Sequence, residues 1–231
     1  MSESRTVRST AYAGLAAVVL TLVAFLVFTR SGMPDSNDPA AKIAAYFTQH
    51  RGAALAQMFF FGLSFTAMAV FIGGVVVMMW RVEGARMLAV IAAVGGAAAG
   101  GAALVGAAML TTLAYRAPVG DAGLLRAMLD GGYISLNASG FLFAAFIGAV
   151  ALASMRMHVF PTWVGEVGAV TAVLQVLGAA AFSRGDGIMS PQGLVPLIGI
   201  IAYLVWTVCM AAAMLRTQEA MRAAPSAPAP A

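Results

Sequence analysis

The sequence predicts an all-α membrane protein, a polytopic bundle of six transmembrane helices with two short extracytoplasmic interfacial helices. Two observations carry this prediction: six long apolar stretches, and a composition with 61% hydrophobic and only 10% charged residues. Each stretch is close to or above the ~20 residues that a helix needs to cross a ~30 Å hydrocarbon layer. The stretches are Ala11–Thr29, Ala54–Trp80, Met87–Ala114, Tyr133–Met155, Trp163–Phe182 and Leu194–Leu215.

The composition also limits the class of protein and its partners. An ordinary soluble domain carries ~25% charged residues, so the lipid bilayer is the expected surroundings of this chain. We expect one membrane domain over residues 1–222 and a disordered Pro/Ala tail over residues 223–231. The net charge of +4 indicates contact with anionic headgroups. A nucleic-acid partner is not expected, because the sequence has no basic patch with interleaved aromatics.

The first apolar stretch resembles a secretory signal, because Arg5 and Arg8 precede it. It is longer than the usual 7–15-residue core of a signal peptide and has no small-residue cleavage site after it. We therefore expect an uncleaved first span. Twelve arginines against one lysine indicate a GC-rich bacterial genome, and the single Cys209 gives no indication of the redox compartment.

Six spans place both termini on one side of the membrane. Short loops near span ends carry the most weight in the positive-inside rule. The tight turns Arg81–Arg86 and Arg156–Phe160 are such loops, and Arg5 and Arg8 flank the first span. The sequence therefore predicts a multi-pass protein of the plasma (inner) membrane with cytoplasmic termini.

Two connections on the opposite side are expected to form the interfacial helices. In the first, Asp38 is a suitable N-cap and Pro39 fits the first helical position. The residues that follow on one face of that helix are Ile43, Tyr46, Phe47 and His50. The second helix is predicted over Asp121–Asp130. Two interpretations stay open: these helices cover the ends of the bundle, or they form a lid over an outward-facing cavity.

Small residues indicate where the helices pack. Gly96 and Gly100 form a GxxxG pair on the third span, and Gly140 and Gly148 lie on a similar ridge of the fourth span. Such ridges let two helix backbones approach closely in lipid. We expect the third span to be the most enclosed helix and to face the fourth. The alternative use of the Gly96–Gly100 ridge is a homodimer.

One sequence pattern has two explanations: an internal duplication, or a chance match of the kind that Ala/Gly/Phe-rich sequence produces easily. The triplet Phe71-Ile72-Gly73 begins ten residues before Arg81, and Phe146-Ile147-Gly148 begins ten residues before Arg156. The common offset of 75 residues relates spans two and three to spans four and five in parallel orientation. Parallel repeats of this kind occur in transporters.

Polar side chains within the spans are the candidate functional residues, because they are costly in lipid. The candidate intramembrane polar site consists of Gln57, Asn137, Glu166 and Gln175. Glu166 is an acid in the first turns of span five, where it is either a helix-start carboxylate or a proton or cation site. Gln175 lies nine residues further, roughly on the opposite face of the same helix. Interhelical hydrogen bonds are the alternative explanation for the amides.

We expect no enzymatic activity, no metal and no cofactor. His50 and His158 fall at opposite membrane faces, so they cannot ligate one metal or haem together. The sequence contains no HExxH motif, and no aspartate or histidine falls in the middle of a span. The fifteen methionines are scattered, which is typical of flexible apolar filling rather than of copper binding.

Three features carry a resemblance to a known family: the Lys42–Arg51 helix that leads into span two, the turn Phe160–Gly165 before span five, and Trp206 in the last span. With these features the chain resembles a family of uncharacterised six-span bacterial, mainly actinobacterial, integral membrane proteins annotated under a domain of unknown function. The resemblance covers nearly the whole chain. It implies six spans and no particular activity.

The leading functional hypothesis from the sequence is an integral membrane protein without enzymatic activity, with an accessory or partner-interaction role. Its expected partners are the lipid bilayer and either another membrane protein or a second copy of the chain. The alternative is a small solute or ion transporter or channel with a polar path between its helices. A continuous polar path would favour transport, and a dry, tightly packed interior would favour the accessory role.

Overall fold

The computed structural model describes residues 3–29, 34–35, 37–183 and 187–223. These residues form seven α-helices, three short 3₁₀ turns and no β-strand. Six of the helices are long and apolar enough to cross a membrane, which confirms the predicted all-α fold class. The helices are α1 (Glu3–Thr29), α2 (Ala40–Gln49), α3 (Arg51–Trp80), α4 (Arg86–Arg116), α5 (Ala122–Met157), α6 (Thr162–Ala179) and α7 (Leu194–Ala223). Most of the predicted tail, residues 224–231, lies outside the described residues.

The six long helices form a closed ring in chain order. Each packs extensively against the next one along the chain, and α7 closes the ring by packing against α1. Helices α3, α5 and α7 run in one direction, and α1, α4 and α6 run in the other. The ring therefore has two ends: the end where α1 begins and α7 finishes, called here the terminal end, and the opposite end, called here the α2 end.

Helix α2 covers part of the α2 end. It buries Ile43, Tyr46 and Phe47 in an apolar cluster with residues of α3, α4 and α5. Pro39, and not Asp38, occupies the N-cap position, because the extended ψ of 139° at Pro39 precedes the first helical residue. The predicted capping role of Asp38 is therefore wrong.

Asp38 instead connects the α1–α2 linker to its surroundings. Lys42 Nζ donates to its carboxylate at 2.8 Å, and this hydrogen bond holds the pKa of the Asp38 carboxyl below its ordinary value. The backbone N–H of Asp35 donates to the same carboxylate at 2.9 Å. The Asp38 carbonyl accepts a 2.6 Å hydrogen bond from Arg126 Nη2 on α5. These contacts position α2 over the ends of its neighbours.

The second predicted short helix is not a separate element. Asp121 caps α5 by accepting from the backbone N–H groups of Gly123 and Leu124, and the helix then continues for 36 residues. The Gly131-Gly132 pair does not break it, because both glycines lie against α4. A Cβ on Gly132 would stand 2.9 Å from the side chain of Leu110, and one on Gly131 would stand 3.1 Å from Met109. These glycines serve close packing and not chain reversal.

Helices α4 and α5 face each other, as the sequence predicts, and their contact is the most extensive in the ring. The prediction that α4 is the most enclosed helix is wrong. In the most apolar segment of each helix, 61% of the residues are buried in α5 and 33% in α4. Helix α5 contacts both α4 and α6, and α2 packs on its first turns. Helix α4 leaves a broad face with Ala97, Ala98 and Gly101 exposed.

The predicted packing glycines lie in different interfaces. Gly96 packs against Ile72 of α3, while no described atom lies within 4 Å of the place where a Cβ on Gly100 would stand. The two residues therefore do not form one contact ridge within the ring. Gly140 packs tightly on α6 at Ala179 and Gln175, and Gly148 makes an ordinary contact with α6. On α4, Gly95 and Gly106 lie directly against the backbone of α5, where a Cβ would stand 2.9 Å from Leu142 O and 2.7 Å from Gly132 O.

One layer of aromatic side chains fills the ring in its terminal half. Trp206 on α7 contacts Phe71 on α3 and Phe146 on α5 edge-to-face, with ring centroids 6.4 and 5.7 Å apart. All three side chains are fully buried, and we call them the aromatic layer. Two of them are the aromatic residues of the proposed duplication. Trp206 completes the set because Arg216 follows it after ten residues, as Arg81 and Arg156 follow Phe71 and Phe146.

The close α4–α5 approach generates a prediction about stability. A Cβ on Gly95 would stand 2.9 Å from Leu142 O and 3.0 Å from Phe146 N, both backbone atoms that cannot move independently. Gly95→Ala should therefore lower the free energy of unfolding by about 1–2 kcal/mol through overpacking. SDS titration of the protein in mixed micelles measures this change.

Gly101→Ala is the matched control on the same helix, because no described atom lies within 4 Å of its Cβ position. It should leave stability unchanged or raise it by up to about 1 kcal/mol through better helix propensity. Equal losses for the two variants would contradict the assigned α4–α5 interface.

Candidate functional site

A central cavity of about 560 Å³ occupies the half of the ring nearest α2. All six long helices line it, and most of its wall is apolar. This volume lies within the ~300–1,000 Å³ range of small-molecule sites. The cavity is the candidate site because it is enclosed by every spanning helix and lies on the axis of the ring.

The cavity exists because the side chains that α3, α5 and α7 direct to the ring axis are large in the terminal half and small in the half nearest α2. At the aromatic layer, α3, α5 and α7 present Phe71, Phe146 and Trp206 to the axis. Seven residues earlier on each helix, the corresponding positions are Ser64, Ser139 and Gly199, and all three line the cavity. A ring of six helices cannot fill its centre with such small side chains, so space remains.

The floor of the cavity lies directly above the aromatic layer. It is formed by the residues three positions before each aromatic side chain: Met68, Phe143 and Tyr203. The rings of Phe143 and Tyr203 contact each other with centroids 4.9 Å apart. Below them the aromatic layer and the apolar cluster around it close the ring toward the terminal end.

The structure brings together three of the four predicted polar residues. Gln57, Asn137 and Gln175 all line the cavity, although they come from three different helices. Glu166 does not line it and is exposed near the start of α6. The separation agrees with the prediction that Gln175 and Glu166 lie on opposite faces of that helix. Glu166 therefore does not share the cavity with the other three residues.

Most of the polar groups in the cavity wall bond to the protein itself. Gln175 Nε2 donates to the Gly199 carbonyl at 2.7 Å and so joins α6 to α7. Ser64 Oγ donates to the Ala17 carbonyl at 2.9 Å and shares a 2.7 Å hydrogen bond with Thr21, which joins α3 to α1. Ser139 donates to a carbonyl of its own helix. These groups form interhelical and local bonds rather than a hydrated path.

At the mouth, Asn137 holds the turn that leads into α7. Its Nδ2 donates to the Pro191 carbonyl at 2.9 Å. Gln192 Nε2 donates to the Pro34 carbonyl at 3.1 Å, and the Gln192 side chain also bonds to Tyr133. The turn of residues 190–193 is thus tied to α5 and to the α1–α2 linker, and it forms part of the rim of the cavity.

Two buried polar atoms in the cavity wall have no hydrogen-bond partner among the described residues: Gln57 Oε1 and the Tyr203 hydroxyl. Gln57 is only 5% exposed, so bulk water does not compensate for the missing bond. An unsatisfied buried polar group costs ~1–3 kcal/mol. Neighbouring atoms cover both groups, so a bound molecule gains a hydrogen bond here once the side chain turns toward the cavity.

The sequence indicates the amides but gives no direct sign that Tyr203 lines the cavity or that Trp206 lies beneath it. Tyr203 lies in a uniformly apolar span, and nothing in its neighbours marks it as facing a cavity. For Trp206 a signal was present, because Arg216 follows it at the same spacing as in the two proposed repeats. The site depends on which face of each helix points to the axis. In a long helix that is apolar on every side, the sequence has no periodic pattern that marks this face.

The described residues contain no group of three or more histidines, cysteines or acids that could hold a metal ion. His50 lies at the α2 end, where its ring contacts Tyr46, and His158 ends α5 at the terminal end with a left-handed φ of 54°. Among the described residues that line the cavity, Asp35 at the mouth carries the one formal charge.

Fold and site together define the class: an α-helical membrane protein whose six spanning helices enclose a central cavity. No family model, no curated protein and no solved structure matches this chain. The resemblance to the uncharacterised actinobacterial family therefore stays a prediction.

The role of Asn137 at the mouth generates a second prediction. Asn137→Leu removes the hydrogen bond to Pro191 and should speed hydrogen–deuterium exchange in residues 187–194, because α5 then holds the turn only through the bond between Tyr133 and Gln192. Gln175→Leu is the control, since it breaks the α6–α7 bond without touching this turn. Unchanged exchange in Asn137→Leu, or an equal effect in both variants, would contradict the role given to Asn137.

Proposed function

We propose that this membrane protein binds a small lipid-soluble molecule in its central cavity and does not catalyse a reaction. The single observation that carries the proposal is the cavity of about 560 Å³, enclosed by all six long helices and closed on one side by the aromatic layer. The non-enzymatic role predicted from the sequence is part of the proposal. The protein would act by holding a molecule inside the bundle.

An empty apolar cavity of this size is energetically expensive. Unfilled apolar volume lowers stability, because the side chains around it lose the contacts that close packing provides. An occupant is therefore expected. Water is a poor one, because each ordered water needs 2–4 polar partners and most polar groups here bond to the protein.

The wall also supports a binding role over a catalytic one. The hydroxyls of Ser64 and Ser139 donate to carbonyl groups, and no histidine or lysine lines the cavity among the described residues. A serine nucleophile needs an adjacent general base within hydrogen-bond reach. The arrangement instead offers an apolar volume with a few fixed hydrogen-bonding groups, which is typical of ligand sites.

The proposed orientation places the termini in the cytoplasm of a bacterial cell and the cavity mouth outside. Basic residues at span ends favour the cytoplasmic side. At the terminal end six arginines are exposed among the described side chains: Arg5, Arg8, Arg81, Arg86, Arg156 and Arg216. At the α2 end the described basic side chains are Lys42, Arg51, Arg116 and Arg126. The whole sequence places seven basic residues at the terminal end and six at the α2 end, so the proposed orientation rests on the two short loops and not on the count.

Filling the cavity tests the binding function. Ala103 on α4 lines the cavity and is 2% exposed. Ala103→Phe should displace the bound molecule, and small molecules that co-purify with the parent protein in native lipid discs should fall at least several-fold. Mass spectrometry of extracts from both proteins measures this change.

Ala108→Phe is the matched control, because this alanine is exposed on the lipid side of the same helix. It should retain the co-purifying molecule at the parent level. If parent, Ala103→Phe and Ala108→Phe proteins all yield the same extracts, the cavity is not a binding site and the proposal is wrong.

Transport is the second candidate function. The observation that favours it is that the cavity lies on the ring axis and is lined at the α2 end by the exposed Asp35, while the aromatic layer closes the other side. This geometry fits one state of an alternating-access cycle. The three aromatic side chains meet at this layer, so a transporter would have to move Trp206 away from Phe71 and Phe146.

Cysteine labelling separates the two functions and tests the orientation. In a Cys209→Ala background, Ser139→Cys lines the cavity and Ser154→Cys is fully buried on the terminal side of the aromatic layer. A binding protein with its mouth outside should label at position 139, but not at position 154, when a small impermeant methanethiosulfonate is added to intact cells.

Labelling of Ser154→Cys from either side of the membrane would indicate a second open state and favour transport. Labelling of Ser139→Cys only from the cytoplasmic side, in inverted vesicles, would contradict the proposed orientation.

A further inference from the structure

We infer that the cavity selects an uncharged, mainly hydrocarbon molecule with a hydroxyl group, and that Gln57 receives this hydroxyl. The inference rests on the proposed binding function and names its ligand class. It starts from Gln57 Oε1, a hydrogen-bond acceptor that is buried in the cavity wall without a partner among the described residues. A ligand that donates a hydrogen bond to this atom removes an energetic cost that the protein otherwise carries.

The charge of the wall excludes ionic ligands from the favoured class. Asp35 carries the one formal charge among the described lining residues, and it lies at the mouth. A carboxylate or phosphate would enter an apolar cavity with no cationic partner, which is costly. An ammonium group buried at Gln57 would gain little from Asp35, because that carboxylate is exposed at the mouth. A neutral donor is therefore favoured, and a hydroxyl brings the fewest additional polar atoms that need partners.

The depth of Gln57 sets the orientation of the ligand. Gln57 lies fourteen residues before Phe71 on α3, and Tyr203 lies three residues before Trp206 on α7. Because Phe71 and Trp206 lie in one layer, a rise of 1.5 Å per residue places Gln57 about 16 Å nearer the α2 end than Tyr203. The hydroxyl would bind near the mouth, and the hydrocarbon part would extend to the floor at Met68 and Phe143.

Trp206 provides a spectroscopic reporter beneath this floor. The chain has three tryptophans, and Trp80 and Trp163 are 51% and 44% exposed on the outside of the ring, whereas Trp206 is fully buried. Replacing Trp80 and Trp163 with Phe leaves Trp206 as the one fluorophore. A bromine atom at the hydrocarbon end of a bound molecule should quench it, since a heavy atom quenches indole fluorescence at close range.

The experiment compares three bromine-labelled probes in phosphatidylcholine vesicles that contain this tryptophan variant: 12-bromododecan-1-ol, 1-bromododecane and 12-bromododecanoate. Each concentration is scaled to the amount of probe in the bilayer. We expect saturable quenching by the alcohol at a concentration about tenfold lower than by the alkane, the effect of one hydrogen bond of about 1.4 kcal/mol. The carboxylate should bind more weakly than the alcohol.

Gln57→Leu should bring the alcohol and the alkane within about twofold of each other, since one hydrogen bond accounts for the tenfold preference. Gln57→Met, whose side chain is unbranched and of similar length, gives the same readout if the leucine variant does not fold. Tyr203→Phe is the matched control, because it removes the second unpartnered polar atom of the wall, a hydroxyl at the opposite end of the cavity. It should keep the preference for the alcohol.

The outcomes separate the two levels of the hypothesis. Equal quenching in the parent and in Ala103→Phe would mean that the probes act from the lipid, and it would overturn the binding function itself. Saturable binding that Ala103→Phe abolishes, but with no preference for the alcohol or with a preference for the carboxylate, would retain the binding function and overturn the ligand class. Loss of the preference in Tyr203→Phe but not in Gln57→Leu would overturn the role of Gln57.

Discussion

The contact of Trp206 with Phe71 and Phe146 is the constraint on which the rest of the structure depends. Three helices that run in the same direction each send one large aromatic side chain to the ring axis, and the three meet in one layer. The other helices make room for them with glycine: a Cβ on Gly168 of α6 would stand 2.8 Å from Trp206 Nε1, and one on Gly14 of α1 would stand 2.7 Å from Phe71. Large side chains on α3, α5 and α7 thus pack against small ones on their neighbours. This complementarity fixes the order of the ring without a hydrophobic driving force between helices, which lipid does not provide.

The cavity follows from the same arrangement by a change of residue type. Toward the α2 end the axis positions of α3, α5 and α7 become Ser64, Ser139 and Gly199, which are too small to meet at the centre. Packing continues around the circumference, through the Gly140 contact between α5 and α6 and the Gln175 bond between α6 and α7. The ring therefore stays closed while its centre opens. The same six helices thus form a packed core at the terminal end and a cavity at the α2 end.

The polar residues divide into two groups with different physical roles. Gln175, Ser64 and Asn137 bond to backbone carbonyls and hold helices and the mouth turn in place. Gln57 and Tyr203 keep a polar atom unpaired in the cavity wall. A structural role accounts for the bonds of the first group, whereas the two atoms of the second group have no partner among the described residues. An unpaired polar atom in the cavity wall therefore indicates a binding site, whereas the number of polar residues within the spans does not.

The sequence alone determined the number of spans, their approximate limits and the class of membrane protein. Lipid requires long apolar segments with few charges, and both features can be counted in the sequence. It also identified Gln57, Asn137 and Gln175, since amides are conspicuous in apolar helices. Only the tertiary structure decided that these three share a cavity while Glu166 faces outward, that Gly96 and Gly100 serve different neighbours, and that Asp121–Asp130 continues into α5. In a uniformly apolar helix almost every face can be buried, so periodicity does not tell the axis side from the lipid side. That choice is made by the fit of side chains such as Trp206 and Gly168 between helices, and this fit depends on residues far apart in the chain.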